Sequence, residues 1–240
     1  KFGLAEGAAI VDRRFCATPG MTRERLRETL GDWEFGQAVI GSVVPDVLPV
    51  FESGLGSRLT ILRHDIPLGI GIRYPRPESI GADRLANAVA LAHLHGAPGI
   101  VIDFGTAVTF DVVSADRHYV GGVIAPGLQL MTDYLHERTA LLPQVDLHEP
   151  ASAIGQSTEE AILAGAAIGY RGMIHGILDA LRSELGATVA DLKLVATGGD
   201  ARWITEGMTE TIRVEPDLTL HGLRLVGNLA TPSSSGSKAA

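Results

Sequence analysis

An α/β fold, a mixed sheet flanked by helices and arranged as two packed subdomains, follows from three features of the sequence. Strand-like and helix-like stretches alternate along the chain, an order that favours a mostly parallel or mixed sheet covered by helices. The helix expected over 85–95 is apolar or small nearly all round, which suits an element buried between layers. The stretch Phe2–Val11 can be laid against Phe110–Asp116, each with a following strand, as in a chain built from two copies of one unit. The subdomains are placed at 1–97 and 98–229, and the Ser-rich residues 230–240 read as a flexible tail.

The elements follow in order. Residues 1–4 and 8–15 read as two short strands joined by a turn at Glu6-Gly7. Residues 18–31 are helical, with Thr22 as N-cap, Glu24 early, Arg25 and Arg27 later, and Gly31 as the stop. A buried strand spans 37–44, Pro45 sits in the first turn of a helix running to about Leu55, and 59–63 is another strand. Pro67, Pro75, Pro77, Gly69 and Gly71 make 66–79 an extended, stiffened loop. It leads through Gly81-Ala82-Asp83-Arg84 into the buried helix, a costly place for charges unless they are paired or bind something.

Two β-branched strands then flank a tight turn, Asp103-Phe104-Gly105-Thr106. A third strand spans 118–124, and Ala125-Pro126-Gly127 opens a helix to about His136. Ser157-Thr158-Glu159-Glu160 begins the longest helix, over 159–185, in which Gly165, Gly169, Gly172 and Gly176 leave room for close packing. Strands at 192–196 and 211–214 enclose the glycine turn Thr197-Gly198-Gly199-Asp200 and a short helix, and a last helix covers 218–229.

Composition excludes several classes. With 240 residues, 45% hydrophobic and 20% charged, the chain can bury a large core and is not disordered. No stretch approaches the roughly 20 apolar residues of a membrane span, and no secretory signal is evident, so a cytoplasmic protein without a membrane partner is expected. A formal charge of −8 and 5% aromatic residues leave neither a basic footprint nor stacking platforms for nucleic acid. An anionic ligand must therefore rely on local groups: Arg73, Arg76, Arg84, helix N-termini or a bound cation. Cys16 is the only cysteine, which rules out disulfides and thiolate metal clusters; packing in a strand-like segment is its expected role.

The chemistry centres on the Asp103–Thr106 turn. Asp103 ends a buried strand, Gly105 lets a group approach the backbone, and Thr106 offers a hydroxyl and an N–H, a combination suited to a phosphate and its counter-cation. A plain hairpin whose Asp and Thr satisfy the turn is the alternative. Phosphoryl transfer needs charge neutralisation along the phosphates and an acceptor to orient the attacking hydroxyl. Asp103 and Thr106 supply the first, Asp83 can orient a hydroxyl, and Thr197-Gly198-Gly199 can lie against an adenosine, although such a turn can also be only a loop. Neither G-x-x-x-x-G-K-[ST] nor G-x-G-x-x-G occurs.

Three ordered stretches, Gly81–Ala90, Val101–Asp111 and Tyr119–Leu128, make the chain resemble the type III pantothenate kinases. Ile72-Arg73-Tyr74, Ile154–Thr158, Ala196–Gly199 and Pro216–Leu223 add to the match, which covers about residues 1–226. The resemblance implies a duplicated ribonuclease-H-like, actin-like ATPase fold and ATP-dependent phosphorylation of pantothenate at the first step of coenzyme A synthesis. It also implies a homodimer using a divalent metal such as magnesium and a monovalent cation, potassium or ammonium. By the same analogy Asp83 is the base, and Gly81, Ala82, Asp83 and Arg84 line the pantothenate pocket with Tyr74 and Thr158. Asp103 would hold the monovalent cation, Gly105 and Thr106 the ATP phosphates, and Thr197, Gly198 and Gly199 the nucleotide.

Two departures stand out. The family opens with a D-x-G-N-T phosphate loop, whereas this chain opens on the strand that follows it, so the duplication places a counterpart of Asp103 about seven or eight residues ahead of Phe2. Arg76 stands where the family commonly has an Asn, either contacting an acidic substrate or facing solvent. The alternatives to the kinase reading are a non-catalytic actin-like protein that binds nucleotide or a partner, and a kinase of the same superfamily acting on a sugar or carboxylate.

Overall fold

Two units divide the chain: Lys1–His95 together with the segment from Asp217 onward, and Gly96–Pro216. The computed structural model describes residues 1–186 and 190–230, so the tail expected at 230–240 falls, beyond Ala230, outside the described residues. The unit boundary lies close to the sequence division at 97, but the last helix, expected in the second subdomain, belongs to the first unit.

In the first unit β1 (Phe2–Glu6) and β2 (Ala9–Arg14) form an antiparallel hairpin, and β3 (Ala38–Ile40) pairs in parallel with β4 (Leu59–Ile61) as a separate two-stranded sheet. Helix α1 (Arg23–Leu30) starts at Thr22, whose hydroxyl accepts the Arg25 N–H at 3.2 Å, and stops at Gly31, as its sequence dictates. Pro45–Val47 forms a 3-10 turn that runs into α2 (Leu48–Leu55). The residues expected to form a strand over 37–44 yield only three paired residues, and Cys16, expected in a strand-like segment, follows β2 in irregular backbone. Leu26, Phe51 and Leu55 make a small core between α1 and α2, with Phe2, Ala38 and Ile40 packed against it.

The loop 66–79 contains the two-residue strand β5 (Gly71–Ile72) and a 3-10 turn at Pro77–Ser79. Beyond it α3 (Ala82–Ala90) passes into a π-turn over Leu91–His95. Ala86, Ala88, Val89, Ala90 and Leu91 are fully buried, as the all-round apolar pattern requires. Asn87 is buried too, and its side-chain oxygen accepts the Thr219 hydroxyl at 2.8 Å from the last helix, α8 (Leu218–Ala230), counted ahead of its turn because it packs on α3. The two helices meet so closely at Gly222 that a Cβ there would lie 2.0 Å from the Ala86 carbonyl oxygen.

Asp217, just ahead of that helix, receives the Arg13 guanidinium through Nε at 2.8 and 2.9 Å and the Lys1 ammonium at 2.9 Å. The hydrogen bonds from Arg13, then those from Lys1, outweigh burial and hold the Asp217 carboxyl down at about 2. A depressed folded-state value means stabilisation that is complete above the unfolded value near 4 and is lost as pH falls through about 2. Asp217→Asn should therefore melt lower than the parent at pH 6, and the two melting curves should converge by about pH 2. A constant gap from pH 6 to pH 2 would remove the carboxylate from the explanation.

In the second unit the strands β6 (Gly99–Phe104), β7 (Ala107–Val113), β8 (His118–Pro126), β9 (Lys193–Gly198) and β10 (Arg213–Val214) lie in the order β10-β9-β6-β7-β8. β6 is antiparallel to β7 and parallel to β9, and β10 is parallel to β9. Helices α4 (Leu128–Glu137), α5 (Thr158–Ala164), α6 (Tyr170–Leu185) and α7 (Ala201–Glu206) accompany this sheet. The main core joins Ile100, Ile102, Phe110, Ile174, Leu178 and Ile204.

Two sequence expectations change here. Ala125 and Pro126 do not open a helix: they end β8, where Pro126 stands opposite Ala107 as the last rung of the ladder, a strand end where a missing N–H costs little. Thr158–Leu185, with a π-turn at Gly165–Gly169, is one helix of 28 residues, long and apolar enough to cross a membrane, although no such stretch was expected. Its Ala166, Tyr170, Ile174 and Leu178 belong to the core of the second unit, which accounts for the apolar composition of that face.

Candidate active site

The second unit brings the two glycine turns together at the ends of neighbouring strands. In the parallel register of β6 and β9, Asp103 lies opposite Thr197 and Phe104 opposite Gly198. Past the last rung, the Gly199 N–H donates to the Phe104 carbonyl at 3.0 Å, and the Gly105 N–H donates to the Ala107 carbonyl at 3.1 Å. Asp103, Gly105, Thr106, Thr197, Gly198 and Gly199, separated by nearly a hundred positions in sequence, therefore form one edge. Gly198 has φ of +95°, and a Cβ on it would lie 2.3 Å from the Phe104 carbonyl oxygen, so only glycine lets the two turns approach this closely.

Helix α4 adds a third element. The Gly127 N–H donates to the Thr106 carbonyl at 2.9 Å, and a Cβ on Gly127 would lie 2.2 Å from the Gly105 carbonyl oxygen. The ten-residue α4 consequently starts against the Asp103–Thr106 turn, with the positive end of its dipole at Thr106. Tyr170 fixes that start: its hydroxyl donates to the Pro126 carbonyl at 3.4 Å and accepts from the Leu128 N–H. Burial, then the nearby Asp200 charge, pushes the phenol up to about 12, so it stays protonated and keeps its donor. Burial also raises the Asp200 carboxyl. Gly127 and Asp200 stood in the sequence motifs without a role, and Tyr170 had none; their signal is the fold, since Gly127 reaches this edge between β8 and α4, Tyr170 from α6, and Asp200 between β9 and α7.

Asp111, in the middle of β7 opposite Val101, is fully buried and accepts the Thr109 and Tyr119 hydroxyls, each at 3.4 Å. Thr106 and Gly105 are exposed, whereas the Thr197 side chain is buried and supports the strand end.

In the first unit Gly81 is the N-cap of α3, and Ala82, Asp83 and Arg84 fill its first turn. Asp83 is exposed, with Oδ1 accepting the Arg84 N–H at 2.9 Å, so its charge avoids the interior cost expected from its place before a buried helix and benefits from the helix dipole. Arg84 is half-buried, Tyr74 is half-buried in the preceding loop, and Arg76 is exposed.

Thr158 belongs to the second unit, where it is the first residue of α5. Ser157 caps that helix by accepting the Glu160 N–H at 3.1 Å, and Glu160 reaches back to the Gln156 N–H at 2.6 Å, a capping box displaced by one residue. The preceding irregular segment is tied down where Glu149 accepts two hydrogen bonds of 2.8 Å from Arg171. Among the described residues no group of three or more His, Cys, Asp or Glu side chains is arranged to hold a metal ion.

Comparison with known proteins places this geometry. The family model described as type III pantothenate kinase matches residues 1–180. A protein of Akkermansia muciniphila named type III pantothenate kinase is 47% identical over 230 residues, covering 95% of this chain and 94% of that one. A protein of the same name from Methylacidiphilum infernorum is 48% identical over 191 residues, 80% of this chain and 70% of that one. A crystal structure described as a conserved putative Baf family transcriptional activator from Campylobacter jejuni shares the fold, with a TM-score of 0.55, 20% identity and 85% coverage of each chain. With its α/β architecture of mixed sheet and flanking helices, this chain belongs to the type III pantothenate kinase family.

Proposed function

We propose that the protein transfers a phosphoryl group from ATP to pantothenate, giving 4'-phosphopantothenate in the first step of coenzyme A synthesis. The observation that carries this reading is the single edge made by the Asp103–Thr106 and Thr197–Gly199 turns with the start of α4, in a chain of this family. Glycine turns and a helix N-terminus offer backbone N–H groups to phosphates without requiring a basic surface, which suits a chain of formal charge −8. In this reading Gly105 and Thr106 meet the phosphates and Thr197, Gly198 and Gly199 the rest of the nucleotide. Asp83 accepts the proton of the attacking hydroxyl, and Tyr74, Gly81, Ala82, Arg84 and Thr158 bind pantothenate.

Cations complete the charge balance. The Asp103 carboxylate and the Thr106 hydroxyl are oxygen donors, the type preferred by hard cations such as potassium or magnesium. A bound cation would neutralise phosphate charge as it shifts toward the leaving group. The protein's own part is to hold those oxygens at the strand ends and to keep Tyr170 a neutral donor at the start of α4. A cytoplasmic homodimer belongs to the same reading. Support for self-association comes from Leu130, Met131, Tyr134 and Leu135, exposed along α4, and from exposed Ile124 on β8.

The test is ATP-dependent formation of phosphopantothenate by the natural full-length protein, with potassium, ammonium or sodium as the monovalent ion. Turnover that requires pantothenate and is stimulated by potassium or ammonium over sodium is expected. Saturable ATP binding in a calorimeter with no turnover would replace the proposal with a nucleotide-binding, non-catalytic role. Preference for a hexose in an acceptor screen would move the substrate.

A further inference from the structure

Two helices stand next to the glycine turns of the second unit: α4 starts against the Asp103–Thr106 turn, and α7 follows the Thr197–Gly199 turn after Asp200. The first two residues of α6 reach both of them. Tyr170 fixes the start of α4, and Arg171 holds the end of α7. The Arg171 Nε donates to the Ile204 carbonyl at 3.2 Å, and Nη2 donates to the Trp203 carbonyl at 3.0 Å. The outer side of the same guanidinium meets Glu149, with Nη1 and Nη2 each 2.8 Å from a carboxylate oxygen, a fork that leaves its inner N–H groups aimed at α7.

Helix α7 depends on such outside ties. It has six residues, about 9 Å of helix, too short to be stable alone, and the last four carbonyls of a helix have no partner within it. In α7 these are the carbonyls of Trp203, Ile204, Thr205 and Glu206. The Met208 N–H serves Thr205 at 3.1 Å and the Gly207 N–H serves Ile204 at 3.3 Å, while Arg171 serves Trp203 and adds a second bond to Ile204. Its positive charge also opposes the negative end of the helix dipole.

The guanidinium has little room to leave. It stands 5.4 Å from the centroid of the Trp203 ring, a cation–π distance, and the Arg171 side chain is 13% exposed. A Cβ on Gly207 would lie 2.1 Å from the Arg171 Cζ, so a residue without a side chain is what admits the group to the end of α7. The hold reaches the turn through Ile204, whose carbonyl accepts from Arg171 and whose N–H donates to the Asp200 carbonyl at 3.0 Å. One residue before Asp200, the Gly199 N–H binds the Phe104 carbonyl at the end of β6.

We propose that Arg171, oriented by Glu149, is a positioning residue for the nucleotide: by clamping the end of α7 it fixes the Thr197–Gly199 turn against the Asp103–Thr106 turn. This rests on the reading in which those two turns meet ATP. Loss of the clamp loosens α7 and weakens ATP binding, while turnover at saturating ATP, which depends on Asp83, is kept.

Three variants of the natural full-length protein reach the clamp from different sides. Arg171→Met removes every donor, and Arg171→Lys keeps the charge but loses the fork. Gly207→Ala keeps Arg171 and pushes its guanidinium off the carbonyls, since the far end of a long side chain yields before backbone does. Hydrogen exchange at residues 199–206, without nucleotide, should quicken tenfold or more in Arg171→Met and Gly207→Ala. ATP affinity by calorimetry should fall about tenfold in both and two- to fivefold in Arg171→Lys. The KM for ATP should rise in the same order, with kcat and the KM for pantothenate within twofold of the parent. Leu178→Val, in the core on the same helix, is the stability control: it should lower the melting temperature and leave ATP affinity unchanged. Unchanged ATP affinity in Arg171→Met and Gly207→Ala, or an equal loss in Leu178→Val, would overturn the inference and leave the kinase reading standing. A rise in the pantothenate KM alone would also overturn it. Because exchange and ATP affinity need no turnover, a parent that binds ATP but forms no phosphopantothenate would remove the kinase reading and leave the clamp to be decided by the variants.

Discussion

Asp83→Asn lowers turnover by a factor of about 10² or more while pantothenate binding is nearly unchanged, the result expected if this carboxylate takes the hydroxyl proton in the transition state. The substitution keeps the shape of the side chain and its place in the first turn of α3. Its amide oxygen can still accept the Arg84 N–H that Oδ1 accepts at 2.9 Å, so the helix start should survive. What the amide lacks is basicity. A hundredfold loss corresponds to about 2.7 kcal/mol of transition-state stabilisation, within the range of a general base. Steady-state kinetics with separate kcat and KM, beside a melting curve to confirm folding, decide the matter; unchanged turnover would remove Asp83 from the base role.

Gly198→Ala should damage both the fold and the nucleotide site. At φ of +95° an L-residue is strained by roughly 1–2 kcal/mol, and the new Cβ would stand 2.3 Å from the Phe104 carbonyl oxygen. Phe104 is backbone of the central strand β6 and cannot rotate away, so β6 and β9 must separate at their ends at a further cost of about 1–3 kcal/mol. The combined loss predicts a melting temperature lower by about 5–15 °C. ATP affinity, read by calorimetry below that temperature, should fall tenfold or more, because the Asp103 and Thr197 turns lose their common edge. Gly172→Ala, on α6 and away from this edge, is the control, since a Cβ there meets nothing within 4 Å. Equal ATP affinities for the two variants would detach this edge from nucleotide binding.

The glycine-turn edge of the second unit was legible because its signals are local. Asp103-Phe104-Gly105-Thr106 lies between β-branched runs, and Thr197-Gly198-Gly199 ends another, so strand ends with glycine turns were the natural reading. That the two turns share an edge depends on a parallel pairing across some ninety residues, which no local pattern encodes. Tyr170 went unassigned for a related reason: on a helix it reads as a core aromatic, and only the end of β8 reveals that its hydroxyl caps α4. The start of α4 was misplaced because Pro126 is as good a first-turn residue as a strand-end residue, and pairing with Ala107 decides between them.

The return of the last helix to the first unit sets an order of events during synthesis. Gly96–Pro216 is one continuous stretch and holds its own main core, so it can close as soon as it leaves the ribosome. The first 95 residues emerge earlier, but they wait. Asn87 meets Thr219, Gly222 seats on Ala86, and Asp217 joins Arg13 only when the final tenth of the chain arrives. The unit made first is therefore completed last, and a ribosome that stops short of residue 217 leaves the helix carrying Asp83 with its apolar face uncovered.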